Sequence, residues 1–409
     1  MNLFYHTAIT AYVAAIKVAS SFGHRKARQM EEGRRDWYRS LAARREEGAR
    51  YIWFHAASLG EFEQGRPLME RLRATHPEYK ILLTFFSPSG YEVRKNYAGA
   101  DIVCYLPYDF RSSMRRFLDL MRPEKAFFIK YEFWGNTLSE LQQREIPTYL
   151  VSGIFRRHQA FFKWYGALLR PMLHKFAHLF VQDEESQQLL ASIGIHNVTV
   201  SGDTRFDRVL DICAQAKVLP WAEKMKAPFI LVAGSTWPKD EDIILDHFNR
   251  HPEVKLIIAP HEIHEEHIAG IISKLKRPYM RYSQLDESRV EEVDCLIVDA
   301  IGFLSSVYRY GNYAYIGGGF GVGIHNTLEA AVYGIPVSFG PNHSAFREAL
   351  GLIDAGGALP ISSASDWERI VQQMVSEPAT LAAAGRAAGA YVHDNAGAGD
   401  KIFQAVFGN

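Results

Sequence analysis

Short apolar runs alternate with helix-patterned segments along most of this 409-residue chain. A bounded apolar run of roughly four to eight residues is typical of a strand buried on both faces, and a helix between two such strands connects them in parallel. The sequence therefore predicts an α/β fold in which parallel sheets are covered by helices. The predicted strands are residues 51–55, 80–86, 101–105, 126–130, 148–151, 179–182, 198–201, 229–233, 254–259, 295–298, 313–316 and 335–339.

The alternation pauses once, in a polar and proline-bounded stretch at residues 211–228, and then restarts. The chain is too long for one ordinary core, and domains of about 150 to 200 residues are expected. We therefore place a domain boundary at the pause. The expected segments are an anchor helix at 1–24, a first domain at 25–210, a linker at 211–228, a second domain at 229–385 and a helical end at 386–409 that packs back toward the first domain.

Bulk composition excludes some classes of partner. Lys plus Arg and Asp plus Glu both number 46, so the formal net charge is zero and nothing in the overall charge favours nucleic acid. Three cysteines, Cys104, Cys213 and Cys295, are far apart and have no metal-ligand spacing, which indicates a reducing compartment without a disulfide framework.

The first residues differ from the rest. Residues 3–22 are largely apolar, and basic residues follow at once, beginning with Arg25, Lys26, Arg28, Arg34, Arg35 and Arg39. By the positive-inside rule this order holds the downstream chain in the cytoplasm and attracts anionic headgroups. We expect an uncleaved membrane anchor that spans the bilayer or lies in its interface, with an ordinary buried helix as the alternative. A signal peptide would carry its basic region before the apolar stretch.

A glycine-rich loop at residues 317–323 joins a predicted strand to a predicted helix. Five glycines in seven residues, Gly318 and Gly319 among them, allow the backbone to approach a ligand, and a helix N-terminus favours an anion. Asn326 and Glu329 follow. Glu329 would accept hydrogen bonds from ribose hydroxyls, although the spacing of the two residues also fits a helix cap.

A small-residue loop follows the first strand of each predicted domain. The first contains Ser58 and Glu61, and Glu61 is the candidate general base, although this spacing is also that of a capping box. The second contains Gly234, Ser235 and Thr236, which would donate hydrogen bonds to an anion or simply begin a helix. Ligands of open α/β sheets lie beyond the carboxyl ends of the strands, so two facing domains would place the two loops on opposite walls of one cleft.

Three further stretches have open interpretations. Residues 261–267 contain His264 and His267, but the pattern is not that of a zinc helix, and a solvated polar helix start fits better than a metal site. Residues 131–136 would present polar groups to the cleft or form a packed aromatic turn. Arg156 and Arg157, set among aromatic residues, would bind a phosphorylated amphiphile or merely solvate a helix face.

Several motifs together resemble the family of bacterial 3-deoxy-D-manno-octulosonic acid (Kdo) transferases. Each motif is weak alone, whereas their order and spacing across nearly the whole chain are specific. They are the anchor with its arginines, residues 58–61, Thr84 with 87–90, 132–136, 182–186, 201–207, 317–319 and 325–331.

The resemblance implies a GT-B fold, with two Rossmann-like domains around a cleft and an N-terminal membrane-associated helix. It also implies metal-independent transfer of Kdo from CMP-Kdo to a lipid A precursor, lipid IVA, at the cytoplasmic face of the inner membrane. No cofactor is expected. The alternatives are a GT-B enzyme that uses a UDP-sugar and a membrane-tethered nucleotide-binding scaffold without turnover.

The resemblance also assigns roles to the candidate residues. Glu61 becomes the base that deprotonates the acceptor hydroxyl. The expected donor contacts are Gly234, Ser235, Thr236, His261, Gly318, Gly319, Asn326 and Glu329. The expected acceptor contacts are Ser89, Glu132, Arg156 and Arg157. One departure concerns His261: the family usually has Pro-Arg-His where this chain has Pro260 and His261, so a cationic phosphate contact is lost or supplied by another residue.

Overall fold

The computed structural model describes residues 3–321 and 323–408. The chain forms two compact units, one made of residues 1–208 and 396–409 (unit 1) and the other of residues 209–395 (unit 2). Each unit contains one seven-stranded sheet in which every pairing is parallel.

The strands of unit 1 are β1 Arg50–Ala56, β2 Tyr79–Phe85, β3 Ile102–Tyr105, β4 Lys125–Ile129, β5 Thr148–Gly153, β6 His178–Val181 and β7 Val198–Val200. The strands of unit 2 are β8 Phe229–Thr236, β9 Val254–Pro260, β10 Tyr279–Arg281, β11 Cys295–Ile297, β12 Tyr313–Ile316, β13 Val337–Phe339 and β14 Ala358–Pro360. All twelve predicted strands are therefore confirmed. The two that the sequence did not indicate, β10 and β14, are three-residue strands at the edges of their sheet.

Helices connect the strands. The α-helices of the first part of the chain are α1 Leu3–Ser21, α2 Arg25–Glu32, α3 Trp37–Arg44, α4 Leu59–Thr75, α5 Pro88–Arg94, α6 Arg111–Met121, α7 Gly135–Gln143, α8 Arg170–Leu173, α9 Glu184–Ala191 and α10 Thr204–Ala214. Those that follow are α11 Pro220–Lys224, α12 Pro238–Arg250, α13 Glu265–Lys274, α14 Leu304–Val307, α15 Leu328–Ala331, α16 Arg347–Asp354, α17 Ala364–Ser376, α18 Pro378–Asp394 and α19 Ala398–Phe407. Short 3-10 helices lie at Ala160–Phe162, Trp164–Leu168, Tyr282–Gln284, Val290–Glu292 and Tyr308–Tyr310.

The strand order places a topological switch point in the middle of each sheet. The order is β3-β2-β1-β4-β5-β6-β7 in unit 1 and β10-β11-β9-β8-β12-β13-β14 in unit 2. The chain winds outward in one direction from β1 or β8 and in the other from β4 or β12. In open α/β sheets a crevice opens at such a point, beyond the carboxyl ends of the two central strands, and binds ligands. The loops after β1, β4, β8 and β12 are therefore where functional residues are expected.

The C-terminal end of the chain divides differently from the predicted segments. Residue 386, where the helical end was expected to begin, lies inside α18, which continues to Asp394 and belongs to unit 2. Of the two helices at this end of the chain, α19 belongs to unit 1. Its residues Ile402 and Phe403 are buried in a core cluster with residues of β1, β2 and β4. Its N-terminal amides at Gly397 and Gly399 donate to the carboxylate of Asp207.

Helix α1 packs along one face against unit 1. Val13 and Ile16 are buried, and the ring of Tyr12 stacks on Phe86. The hydroxyl of Tyr5 donates to the buried carboxylate of Asp109. The opposite face stays exposed, and Phe22 at the end of the apolar stretch is 86% exposed.

Across the residues that the structure describes, no helix has both the length and the apolar character needed to cross a membrane. The finding gives no support to the spanning form of the predicted anchor.

One member of the predicted basic cluster is part of the core. Arg34 is 6% exposed, and its guanidinium donates to the backbone carbonyls of Met30, Phe86 and Leu106. Burial lowers its pKa. The expectation that Arg34 attracts headgroups is therefore wrong, because its charge is held inside unit 1 by backbone oxygens and aromatic rings.

Candidate active site

Glu61 lies at the switch point of unit 1, in the first turn of α4 after the end of β1. Its Oε2 accepts a hydrogen bond of 2.5 Å from the Ala57 amide, whereas the Ser58 side chain makes no capping bond. The Ser58 side chain therefore does not form its half of the predicted capping box, and the Ala57 amide belongs to the residue before the N-cap. Burial and the nearby charge of Glu132 raise the pKa of Glu61 to about 7, against the pull of the Ala57 amide and of Lys130. A carboxyl with this pKa can take up and release a proton near neutral pH.

Glu132 follows β4 and is fixed by two donors. Its Oε2 accepts from Trp134 Nε1 at 2.6 Å and lies 2.9 Å from Nε2 of His55, and the side chain is buried. Because a carboxylate only accepts hydrogen bonds, Nε2 of His55 carries the proton in this contact. His55 is completely buried and is held on its other side by Thr84, 2.8 Å from Nδ1. These contacts keep a negative charge beside Glu61.

The remaining predicted residues of unit 1 lie on neighbouring loops of the same sheet edge. Ser89 is exposed in the first turn of α5, whose Gly90 lies so close to the Ser58 backbone that a Cβ there would approach it to 3.1 Å. Arg156 follows β5, and its Nη1 lies 3.4 Å from Oδ2 of Asp183. The charge of Arg156 lowers the pKa of Tyr131, whereas the charge of Glu61 raises it. Arg157 is exposed. The loops therefore bring cations to the edge that carries the two glutamates.

Backbone strain coincides with these loop positions. Six non-glycine residues of the described chain have positive φ angles, and three of them, Lys130 (67°), Ser152 (53°) and Ser235 (53°), lie at the carboxyl ends of β4, β5 and β8. Such angles are uncommon outside glycine and cluster at functional sites. Lys130 was not a predicted site residue, and a lysine just after a buried run is too common for sequence reasoning to select.

The glycine-rich loop of unit 2 is a compact turn that uses most of its own amides. Four of its five glycine N–H groups bond to protein acceptors: those of 317, 318, 321 and 323. A Cβ at Gly317 would lie 2.1 Å from the Ser235 carbonyl, and one at Gly319 would lie 2.5 Å from the Gly340 nitrogen. Close backbone packing therefore explains these two glycines. The four bonded amides are therefore already used within the protein, whereas the predicted anion site would need them for a ligand.

Asp240 is the residue that holds this loop, and it was not among the predicted site residues. It is buried in the first turn of α12, where Oδ2 accepts from the amides of Trp237 and Gly318, both at 2.9 Å. Its Oδ1 accepts from the hydroxyl of Tyr315 at 2.7 Å. One carboxylate thus joins the loops that follow β8 and β12.

Two of the predicted donor residues at the carboxyl end of β8 make contacts within the protein. A Cβ at Gly234 would overlap the Tyr308 hydroxyl, so this glycine permits a tight contact with the core. Thr236 is buried and donates to Glu241, which in turn lies 2.9 Å from Nε2 of His267. Ser235, with its left-handed backbone, is half-buried between them.

Three aromatic rings stack at the switch point of unit 2. The ring of His261 lies between those of Trp237 and His325, with centroid distances of 4.8 and 4.4 Å. Trp237 Nε1 donates to Nε2 of His325 at 3.2 Å. Burial and the neighbouring His261 lower the pKa of His325, so this ring is neutral at neutral pH. His261 is exposed, so a nitrogen of its ring can contact a ligand.

Asn326 and Glu329 are joined directly. Asn326 Nδ2 donates to Glu329 Oε1 at 3.1 Å, and Asn326 Oδ1 accepts from the Leu328 amide at 3.2 Å. The helix that follows, α15, is a single turn, much shorter than predicted. Thr327, not Asn326, is the N-cap residue of α15, so Asn326 bonds to the first turn from one position earlier. The side chain of Glu329 is half-buried.

A pocket of about 300 Å³ adjoins the stack. Its lining residues are Trp237, Pro238, Lys239, Asp240, Phe320 and Gly321. The walls are largely aromatic and aliphatic, and Lys239 supplies a cation at the rim. Apolar walls with a cation at the rim suit a planar ring that carries an anionic group.

Two groups of side chains within the described residues have metal-ligand chemistry. One is His247, His251 and Glu368, and the other is Glu262, His264 and His267. In the second group, His264 caps α13 by accepting from the His267 amide. The predicted polar helix start is therefore confirmed.

Residues 29–208 match the family model described as 3-deoxy-D-manno-octulosonic-acid transferase (kdotransferase). Among solved structures, the UDP-GlcNAc 2-epimerase of Neisseria meningitidis bound to UDP-GlcNAc has a TM-score of 0.64 and 15% identity, covering 88% of this chain and 100% of that chain. MurG of Acinetobacter baumannii has a TM-score of 0.55 and 10% identity, covering 87% and 99%. These likenesses concern the fold alone and confirm the predicted GT-B architecture.

Curated relatives extend the match to most of the chain. The 3-deoxy-D-manno-octulosonic acid transferase of Bordetella pertussis is 28% identical over 378 residues, covering 87% of this chain and 86% of that protein. The transferase of the same name from Aquifex aeolicus is 31% identical over 314 residues, covering 75% of this chain and 80% of that protein. Identity at this level, sustained through both units, means that the chain belongs to the 3-deoxy-D-manno-octulosonic acid transferase family.

Proposed function

We propose that this chain is an inverting glycosyltransferase that moves Kdo from CMP-Kdo to a hydroxyl group of a lipid A precursor, lipid IVA, and releases CMP. The observation that carries the mechanism is Glu61, a half-buried carboxyl at a switch point whose pKa of about 7 suits a general base. Membership of the family supports the sugar and the reaction class.

In the proposed step, Glu61 accepts the proton of the acceptor hydroxyl while that oxygen attacks the anomeric carbon of Kdo. The bond between the anomeric carbon and the phosphate oxygen breaks, and CMP leaves with the bonding electrons. Glu132 helps because its charge raises the proton affinity of Glu61. His55 and Trp134 keep Glu132 in place through their hydrogen bonds.

Unit 2 would bind the donor nucleotide. We assign the ribose hydroxyls to Glu329, whose orientation is set by Asn326. The aromatic pocket beside Trp237 would hold the cytosine ring, and His261, as its exposed stack member, would donate to the phosphate. This assignment gives His261 the phosphate contact that the missing arginine would otherwise make.

Unit 1 would bind the acceptor. Arg156 and Arg157 lie on the same sheet edge as Glu61 and would pair with the phosphates of the lipid, and Ser89 would contact its sugar. The exposed apolar face of α1, followed by the exposed Arg25, would lie in the interface of the inner membrane, on the cytoplasmic side. This is the interfacial form of the predicted anchor.

Donor choice tests the proposal. Purified full-length protein is incubated with a tetraacylated lipid A precursor and either CMP-Kdo or a set of UDP-sugars, and release of CMP or UDP is followed. We expect acceptor-dependent CMP release alone. Turnover with a UDP-sugar only, or no turnover with CMP-Kdo while CMP still binds, would contradict the assigned reaction.

A further inference from the structure

The segment between β5 and α8 contains several exposed apolar side chains. They lie in residues 160–168, which form the aromatic loop. Trp164 is 91% exposed, Leu168 is 67% exposed and Tyr165 is 50% exposed. No other large apolar side chain in the described part of the chain is as exposed as Trp164. Adjacent exposed apolar groups of this size mark an interaction surface.

The backbone of the aromatic loop is fixed by close packing and by hydrogen bonds from Arg170. Its two 3-10 helices fold tightly on each other at Gly166, where a Cβ would lie 2.3 Å from the Ala160 carbonyl. The guanidinium of Arg170 donates to the carbonyls of Phe161 and Lys163. Arg170 thus satisfies two backbone carbonyls of the loop and holds its backbone in this turn.

Among charged residues, the sequence segment that contains the loop carries basic ones only, although Arg156 pairs with Asp183 just beyond it. Residues 146–182 contain no Asp or Glu, whereas they contain Arg156, Arg157, Lys163, Arg170 and Lys175. Exposed aromatic side chains in a basic segment fit the interfacial region of an anionic bilayer, where indole and phenol rings lie at headgroup depth and basic groups pair with phosphates.

Two sets of ring contacts, joined through the neighbouring residues Phe133 and Trp134, connect the loop to α1. Phe161 of the loop contacts Phe133 at 5.0 Å. The next residue, Trp134, contacts Phe86 at 4.6 Å, and Phe86 stacks on Tyr12 of α1 at 6.1 Å. The aromatic loop and α1 therefore flank the same segment at the carboxyl edge of the unit 1 sheet.

We propose that the aromatic loop is a second membrane-contacting element, which inserts Trp164, Tyr165 and Leu168 into the interface of an anionic bilayer beside α1. The inference rests on the membrane association proposed above for α1. Together the two elements would set the orientation of unit 1 on the membrane, whereas one helix alone leaves rotation about its axis free. The partner is the lipid surface itself.

The test measures partitioning of the full-length protein onto vesicles of phosphatidylcholine with phosphatidylglycerol. The double variant Trp164→Ala/Leu168→Ala is compared with Ile301→Ala, a control that removes an 86% exposed apolar side chain from unit 2. Because the replaced side chains are exposed, folding is preserved. We expect the partition coefficient to fall about tenfold or more for the double variant and to stay unchanged for the control.

A depth measurement separates the possible outcomes. Vesicles with brominated acyl chains should quench tryptophan emission of the wild type, and Trp164→Ala should lose most of that quenching. Equal partitioning and equal quenching of both proteins would overturn the inference while leaving the association through α1 intact. Failure of the wild type to bind any vesicle would instead contradict the proposed membrane association. Conversion of an oligomer to a monomer by the double variant, with vesicle binding unchanged, would assign the surface to a second copy of the chain and overturn the inference.

Discussion

Replacing Glu61 with Gln separates the catalytic role of this residue from its structural one. The variant keeps an oxygen that can accept from the Ala57 amide but removes the charge. We expect transfer to fall by about 10² or more, as for the loss of a general base. For the wild type, kcat/KM should rise with pH and level off above an apparent pKa of about 7, because only the deprotonated carboxylate accepts the proton.

The same substitution should stabilise the protein at alkaline pH. A carboxyl whose pKa is raised from 4.5 to about 7 binds its proton more tightly in the folded state, so its contribution to stability is present below pH 4.5 and is lost as pH rises through 7. At 1.36 kcal/mol per pKa unit, the charge costs up to about 3 kcal/mol at pH 8. Solvent screening of this half-buried side chain reduces the figure to about 1 to 2 kcal/mol.

Thermal melting at two pH values is the assay. We expect Glu61→Gln to melt roughly 2 to 8 °C above the wild type at pH 8 and to show no gain at pH 4. The control is Glu78→Gln, the same change at an exposed position before β2, at the opposite edge of the sheet, and it should alter neither activity nor this pH dependence. A variant that melts at or below the wild-type temperature at pH 8 would refute the argument that Glu61 is a desolvated carboxylate.

Three further substitutions test the two units. Glu329→Gln should weaken CMP binding about tenfold in calorimetry, and an unchanged affinity would leave this residue only its helix-terminal contacts. Asp240→Ala removes the acceptor of two backbone amides, so it should lower the unfolding free energy of the protein by about 1–3 kcal/mol and weaken CMP binding; a variant as stable as the wild type would contradict the bonding described. Tyr5→Phe removes the hydroxyl that donates to Asp109 and accepts from the Gly135 amide, so it should cost about 1–3 kcal/mol by chemical denaturation while vesicle binding is unchanged; equal stability would show that α1 is not fixed by this contact.

The fold was predictable to a large extent because its central strands are buried on both faces. Six of the seven residues of β1 and all four of β12 are buried, so they read as unbroken apolar runs. The edge strands β10 and β14 escaped prediction, since each has only three residues and most of these residues are partly or fully exposed. Helix α1 was predicted as an element, but its packing on unit 1 depends on contacts with residues about a hundred positions away.

The candidate site was only partly predictable for the same reason. Glu61 could be proposed from its position after the first strand, yet the pairing of His55 with Glu132 joins residues 77 positions apart. Asp240 was missed because its role depends on the amide of Gly318, 78 positions further on. Glycines are ambiguous in a sequence, since close packing against another backbone and an open ligand site both require them.

The reaction product tests the proposed function most directly. Purified wild-type protein and Glu61→Gln are each incubated with CMP-Kdo and tetraacylated lipid A precursor, and the lipid is analysed by mass spectrometry. The account predicts that the wild type adds Kdo to the lipid and that Glu61→Gln binds CMP normally but adds about a hundredfold less in the same time. A wild-type protein that leaves the lipid unmodified, or a variant that modifies it at the wild-type rate, would contradict it.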